Sequence, residues 1–160
     1  MIRQPYDAER FDEGIDVAHC ALLIAAAGAP RATRLALTYI PAFPEGYRAR
    51  TSPEETAADI LSLSQLATDD DRGVRLCRSS LGGNELQLKT YRRGSLIPLS
   101  EAVPVLENFG FRVLEEIPPA LAGGSIGYIH DFRLELPGVD SAEPIFERSA
   151  TIEQAIACVL

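Results

Sequence analysis

Apolar residues at Phe11, Ile15, Ala18, Leu22 and Ala25 recur at steps of four and three, which places them on one face of a helix. Gly28 and Pro30 end that stretch, and residues 31–40 read as a second, shorter helix before Pro41 and Pro44 break the pattern. A clearer start signal follows at Ser52-Pro53-Glu54-Glu55, a capping box with proline at the first helical position. Ala57, Ile60, Leu61 and Leu63 continue it and predict a helix to about Ala67.

From Val74 the period changes to two. Val74, Leu76 and Arg78 alternate with Arg75, Cys77 and Ser79 as in a strand. Leu81-Gly82-Gly83-Asn84 reads as a hairpin turn into a second strand, in which Leu86, Leu88 and Thr90 alternate with Gln87, Lys89 and Tyr91. A helix is predicted over 99–109, capped by Ser100, with Ala102, Val103, Leu106 and Phe109 as its buried stripe and Gly110 as its stop. Phe111, Val113 and Ile117 form a third strand that Pro118-Pro119 is expected to end. After Gly123-Gly124-Ser125, Ile126, Tyr128, His130, Phe132, Leu134 and Leu136 share one face of a fourth strand. Thr151-Ile152-Glu153-Gln154 is a second capping box, with Ile152, Ala155, Ile156 and Val159 as the apolar face of a last helix. That helix meets no glycine or basic stop before Leu160, so the native chain is expected to continue.

Two strand-strand-helix units imply an α+β fold: an antiparallel sheet with helices on one face, ferredoxin-like in its layers and permuted in its connections. The organisation reads as a helical flank over 1–46 and an α+β domain over 47–160.

Composition narrows the function classes. At 160 residues with 46% hydrophobic and 24% charged residues the chain is of ordinary globular type. No apolar run approaches the ~18 residues of a membrane span, and Met1 to Asp7 carry no apolar secretory core. A net charge of -8 opposes binding to a phosphate backbone. Cys20, Cys77 and Cys158 are odd in number and widely spaced, which suits a reducing cytoplasm better than a disulfide framework. Lys89 is the only lysine beside fourteen arginines.

The sequence offers little catalytic equipment. It contains no GxxxxGK(S/T), GxSxG, HExxH or CxxC pattern. Gly123-Gly124-Ser125-Ile126-Gly127 opens a strand, whereas a dinucleotide fingerprint must open a helix. Asp69-Asp70-Asp71 lacks the spaced ligands and closing glutamate of a calcium loop and reads as a solvated turn. His19 has no partner histidine at i+4. His130 and Asp131 point to opposite faces of their strand, so His130 reads as a satisfied core histidine between Tyr128 and Phe132. Arg92-Arg93-Gly94-Ser95 precedes a helix start, where backbone donors favour anions. Arg93, Gly94 and Ser95 are therefore the candidate holders of a ligand carboxylate.

Two ordered stretches carry a family resemblance. Leu99-Ser100-Glu101-Ala102-Val103-Pro104-Val105-Leu106-Glu107-Asn108-Phe109-Gly110-Phe111-Arg112-Val113 is similar to the "LSDxLPxLENxGxxV" signature of the very large bacterial NAD-dependent glutamate dehydrogenases. Tyr128-Ile129-His130-Asp131-Phe132 resembles that family's "(W/Y)IHDF" strand, with tyrosine where tryptophan is common. Tyr47-Arg48, Ser52-Pro53-Glu54-Glu55 and Ala58-Asp59-Ile60 resemble the region just upstream. The likeness runs from about Tyr47 to Leu136.

The resemblance implies an ACT-like regulatory region lying before the catalytic part, a type of module that in other proteins binds amino acids and pairs through its sheets. The parent reaction would be oxidative deamination of glutamate to 2-oxoglutarate and ammonia with NAD. No catalytic residue, cofactor site or metal site carries over to this chain, and NAD would belong to the parent's catalytic part. The expected partners are the other domains of the same polypeptide, further copies of the chain and an amino-acid ligand, without nucleic acid or membrane. The alternative is a stand-alone oligomerisation or amino-acid-binding module, pairing through an edge strand such as Val74 to Ser79. An acylphosphatase-like enzyme would need a phosphate-cradling loop beside Arg78 and Asn84, and no such loop leads into a helix.

Overall fold

The computed structural model describes residues 17–121 and 126–160, with backbone alone at 118–121. Phe11, Ile15 and the Gly123-Gly124-Ser125 turn lie outside the described residues. Three helices come first: α1 (Val17–Ala26), α2 (Ala32–Tyr39) and the single turn α3 (Glu45–Arg48). Next is α4 (Pro53–Ser64), whose N-cap Ser52 accepts a hydrogen bond from the Glu55 amide through its hydroxyl, as the capping box requires. β1 (Arg72–Arg78) and β2 (Glu85–Arg92) form a hairpin, and Gly82 and Gly83 at its tip take positive φ, which glycine adopts without a Cβ clash. Then come α5 (Leu99–Asn108), β3 (Arg112–Leu121), β4 (Tyr128–Glu135), the short α6 (Glu143–Phe146) and α7 (Ser149–Val159). Among the described residues no helix is long and apolar enough to cross a membrane.

The fold is α+β, an ACT-like plait behind a helical segment. All neighbouring strands pair antiparallel in the order β1-β2-β4-β3. The ββαββα order is what results when the leading βα of a ferredoxin-like βαββαβ chain is moved to its end. α5 and α7 cover one face. There Leu76, Leu86, Leu88, Phe132 and Leu134 from the strands pack on Ala102, Leu106 and Ile156 from the helices. The helical segment covers part of the other face, where Tyr91 and Ile129 meet Ile60 and Leu63 of α4, with Cys20, Ile24 and Ala36 behind them. The strand alternation thus feeds two cores, one on each side of the sheet.

Several local expectations are corrected. On α1 the buried face is Cys20 and Ile24, whereas Ala18, Leu22 and Ala25 are exposed; in a helix this rich in alanine and leucine, apolar spacing fits more than one face, and packing against α2 and α4 selects it. α4 ends at Ser64, short of Ala67. α5 is entered from Pro98, with no side-chain cap from Ser100, and Phe109 is exposed at its end. β3 continues through Pro118-Pro119 to Leu121. Proline is tolerated there because β3 is an edge strand and the pairing slips between Ile117 and Ala120, so no ladder bond has to be donated. α7 starts at Ser149, two residues before the Thr151 box, and Val159 is exposed while Ile156 is buried. The other edge, β1, is lined by α7: the Leu76 amide donates to Glu153 Oε1 at 2.7 Å.

Candidate functional site

Three strand residues point at the helical segment because of simple alternation: Arg75 on β1 and Lys89 and Tyr91 on β2. Leu76, Leu88 and Thr90 point the other way. Above them α4 turns Thr56, Asp59, Ile60 and Leu63 inward, a helical spacing of three, one and three. Tyr47, on α3, is stacked on Phe43 with ring centres 4.4 Å apart. These elements converge on Asp59, which is fully buried.

Every acceptor site on Asp59 is used. Oδ1 accepts from Arg75 Nη2 at 2.6 Å and from the Tyr91 hydroxyl at 2.5 Å. Oδ2 accepts from Lys89 Nζ at 2.9 Å and from the Tyr47 hydroxyl. Arg75 Nε donates in turn to the Tyr91 oxygen at 3.0 Å, and Lys89 Nζ lies 3.7 Å from Glu55 Oε1. Burial alone would push the Asp59 carboxyl up, but the charges of Lys89 and Arg75 and the two tyrosine hydroxyls outweigh it and hold it below the usual carboxylate range. Lys89 is 3% exposed, and its burial penalty is likewise outweighed by Asp59 and Glu55, so its pKa lies above the ordinary lysine value. Both tyrosines are raised by burial and by the Asp59 charge, which keeps them protonated as donors.

Beside this cluster lies a cleft of about 240 Å³, lined by Tyr47, Arg50 and Thr51 on the helical side and by Gln87, Lys89, Ile117, Ile129 and Asp131 on the sheet, with Glu55 between. Asp131 differs from Asp59. Its Oδ1 is sealed from solvent without a hydrogen-bond partner, and burial raises its carboxyl to about 6.

The other sequence candidates have structural partners. His130 is buried: its Nε2 accepts from the Ile97 amide at 3.2 Å, and its Nδ1 lies 2.8 Å from Glu116 Oε1. These bonds fix the tautomer with the proton on Nδ1. Arg78 grips Glu143 through Nε and Nη2 at 3.1 and 2.8 Å and lies over the Phe146 ring. Asn84 donates to Glu135 and to the Leu136 carbonyl. Asp71 Oδ2 accepts from the Ala67 and Thr68 amides, closing the acidic turn on itself. His19 faces Glu54 at 3.9 Å on the surface. Cys20, Cys77 and Cys158 form no disulfide.

Arg93, Gly94 and Ser95 lie outside the cleft. Arg93 Nη1 donates to the carbonyls of Leu66 and Ala67, just past the end of α4, at 3.3 and 3.2 Å. Gly94 lies against Asp69, where a Cβ would come within 2.8 Å of that residue's Cβ. Ser95 is exposed. The structure therefore brings together Tyr47, Asp59, Arg75, Lys89 and Tyr91, none of which the sequence reading had singled out as a site. The available signal was Lys89 itself: the lone lysine of an arginine-rich chain stands at a strand position flanked on its face by Gln87 and Tyr91. An inward acid on a facing helix is its natural partner.

Two family models match successive parts of the chain. Residues 73–144 match the glutamate dehydrogenase ACT3 domain, and residues 22–66 match the glutamate dehydrogenase helical motif 2. The chain is similar to the NAD-specific glutamate dehydrogenase of Halomonas elongata, 34% identical over 114 residues, covering 68% of this chain and 7% of that protein. It is also similar to the enzymes of that name from Pseudomonas aeruginosa, 30% identical over 117 residues, and Mycobacterium tuberculosis, 30% identical over 119. These matches cover 71% and 72% of this chain and 7% of each relative, so the chain spans only a small fraction of the length of the proteins it resembles.

Proposed function

We propose, for a chain that belongs to the glutamate dehydrogenase family and carries its ACT3 domain and helical motif 2, that it acts as a non-catalytic regulatory and assembly segment of a large NAD-dependent enzyme. The parent would deaminate glutamate oxidatively with NAD in another part of the polypeptide, in the cytoplasm. The observation that carries the reading is the Asp59 cluster. It joins the helical segment to the sheet through buried charges from α4, β1 and β2, so a displacement of one unit is resisted by the other. Such a unit can pass a ligand's preference between two states, to the extent of its differential affinity for them. In this reading Arg93, Gly94 and Ser95 remain the candidate loop for an amino-acid carboxylate, and further copies and neighbouring domains are the partners. Pairing between copies through β1 is opposed by Glu153, which already holds the Leu76 amide.

The first test is the size of the native polypeptide, read by immunoblot of source-cell lysate with an antibody to this chain. A band many times larger than 17.4 kDa supports the reading. A band near 17.4 kDa overturns it in favour of a stand-alone module. In the large protein, the glutamate-dependent reduction of NAD is then titrated with amino acids, and Arg93→Ala is expected to weaken the response. An unchanged response removes that loop from the account.

A further inference from the structure

Residues 93–98, between β2 and α5, are tied down at three points. Arg93 Nη1 donates to the carbonyls of Leu66 and Ala67, just past α4. Gly94 lies against the side chain of Asp69. The buried Ile97 amide donates to His130 Nε2 at 3.2 Å, its one acceptor among the described residues. The first two contacts reach the turn that follows α4, and the third reaches the sheet. The third also differs in kind, because a proton can remove its acceptor. A neutral imidazole donates from one nitrogen and accepts at the other, whereas an imidazolium only donates. Nδ1 already faces Glu116 Oε1 at 2.8 Å, so a second proton goes to Nε2, where the new N–H meets the N–H of Ile97. Directly across on β2 stands Thr90, whose Oγ1 is buried without a hydrogen-bond partner. Opposed side chains on neighbouring strands start about 5 Å apart, and this oxygen is the vacant acceptor available to the new N–H.

We propose that His130 is a proton-operated pin for residues 93–98. Neutral, it holds the Ile97 amide and fixes this segment and the start of α5 on the sheet. With a second proton, taken from solvent onto Nε2, it changes from acceptor to donor, gives its hydrogen bond to Thr90 and lets go of Ile97. The segment then keeps its ties to the turn after α4 and the packing of the Ile97 side chain beside Leu88 and Leu106, so it loosens without leaving the core. Few charged groups surround the ring. β3 supplies Glu116. On β2 Thr90 is uncharged, with Arg92 beyond it on the same face by alternation. On β4 the ring stands between Tyr128 and Phe132 and is stacked on Phe132. Arg93 is turned to the carbonyls after α4, Glu101 in the first turn of α5 is exposed, and Glu153 of α7 holds the Leu76 amide at the edge of β1. Asp131 points to the opposite face. The pin stands whether or not residues 93–95 hold a ligand.

The test follows the backbone amides of the full 160-residue chain by NMR from pH 8 to pH 5. Hydrogen-exchange protection is corrected for the intrinsic effect of pH, and circular dichroism establishes that each chain stays folded. Protection of the Ile97 amide is expected to fall at least about tenfold as pH drops, and the Gly94 and Ser95 resonances to shift with the same midpoint. His130→Gln keeps a neutral acceptor and is expected to abolish both effects. Glu116→Gln keeps an acceptor for the Nδ1 proton but removes the charge that balances the imidazolium, and is expected to move the midpoint down by about one pH unit. Thr90→Val removes the acceptor of the new N–H and is expected to move it the same way. Asp131→Asn is expected to leave the release in place. The proposal is overturned if Ile97 protection in the folded parent chain does not fall, or if Gly94 and Ser95 do not follow it. It is equally overturned if folded His130→Gln shows the same loss, if neither Glu116→Gln nor Thr90→Val moves the midpoint, or if Asp131→Asn abolishes the release.

Discussion

Replacing Lys89 by methionine tests whether the buried cluster holds the helical segment on the sheet. The substitution keeps the length and most of the apolar stem of the side chain and removes only the charge and its donors. In the native chain Nζ lies 2.9 Å from Asp59 Oδ2 and is 3% exposed. At an effective dielectric constant of about 20, that separation corresponds to roughly 6 kcal/mol of attraction before the cost of desolvating both ions. Removing one partner of a buried pair typically costs about 3–5 kcal/mol, because the other charge stays behind. Asp59 would retain Arg75 and both tyrosine hydroxyls, so the lower end, about 3 kcal/mol, is expected. Equilibrium urea unfolding of the two chains measures it, with fluorescence and circular dichroism compared to check for a single transition. A second arm pairs Lys89→Met with Asp59→Asn. Once the acid is neutral the lysine change should cost far less, so the two effects should not add. A loss below about 1 kcal/mol, or additive effects in the double variant, would refute the clamp.

The pH behaviour of Asp131 has the opposite sign to that of Asp59. Its folded value, about 6, lies above the 3.8 of an unburied aspartate, so the native state holds the extra proton and stability falls as pH rises from about 4 to about 6. Asp131→Asn should therefore be more stable than the parent chain above pH 6, by roughly 3 kcal/mol at most, and thermal melts at pH 4 and pH 7 read the difference. Asp59 loses its contribution only in acid, as pH falls below the ordinary aspartate range and through its depressed value. Gly127→Ala should destabilise by roughly 2–3 kcal/mol, because φ is +129° and a Cβ would sit 2.9 Å from the Arg92 carbonyl oxygen; urea unfolding checks it. Cys158, exposed, should alkylate with iodoacetamide well before Cys77, whose thiol burial raises to about 11, and peptide mapping over time gives the order.

Much of the architecture follows from the chain's own patterning. The two-residue alternation of 74–79, 86–91 and 128–136 determined the strands, the Ser52 box determined the start of α4, and the glycine pair at 82 and 83 determined the hairpin. These are local effects, settled by steric limits and by hydrogen bonds between near neighbours. The family signatures around Leu99 to Val113 and Tyr128 to Phe132 are likewise legible in the sequence alone.

Tertiary structure decided what local rules leave degenerate. Which apolar stripe of α1 is buried depended on what packs against it, and β3 could run through two prolines because, among the described residues, no strand lies on its outer edge. The Asp59 cluster was hidden for the same reason. Tyr47, Asp59, Arg75, Lys89 and Tyr91 are spread over 45 positions, and nothing in their spacing states that they meet. A lone lysine in a strand and an acid on a helix are each unremarkable by themselves. Only the placement of α4 across β1 and β2 made them partners, because charges this far from water persist only when each finds its counterpart.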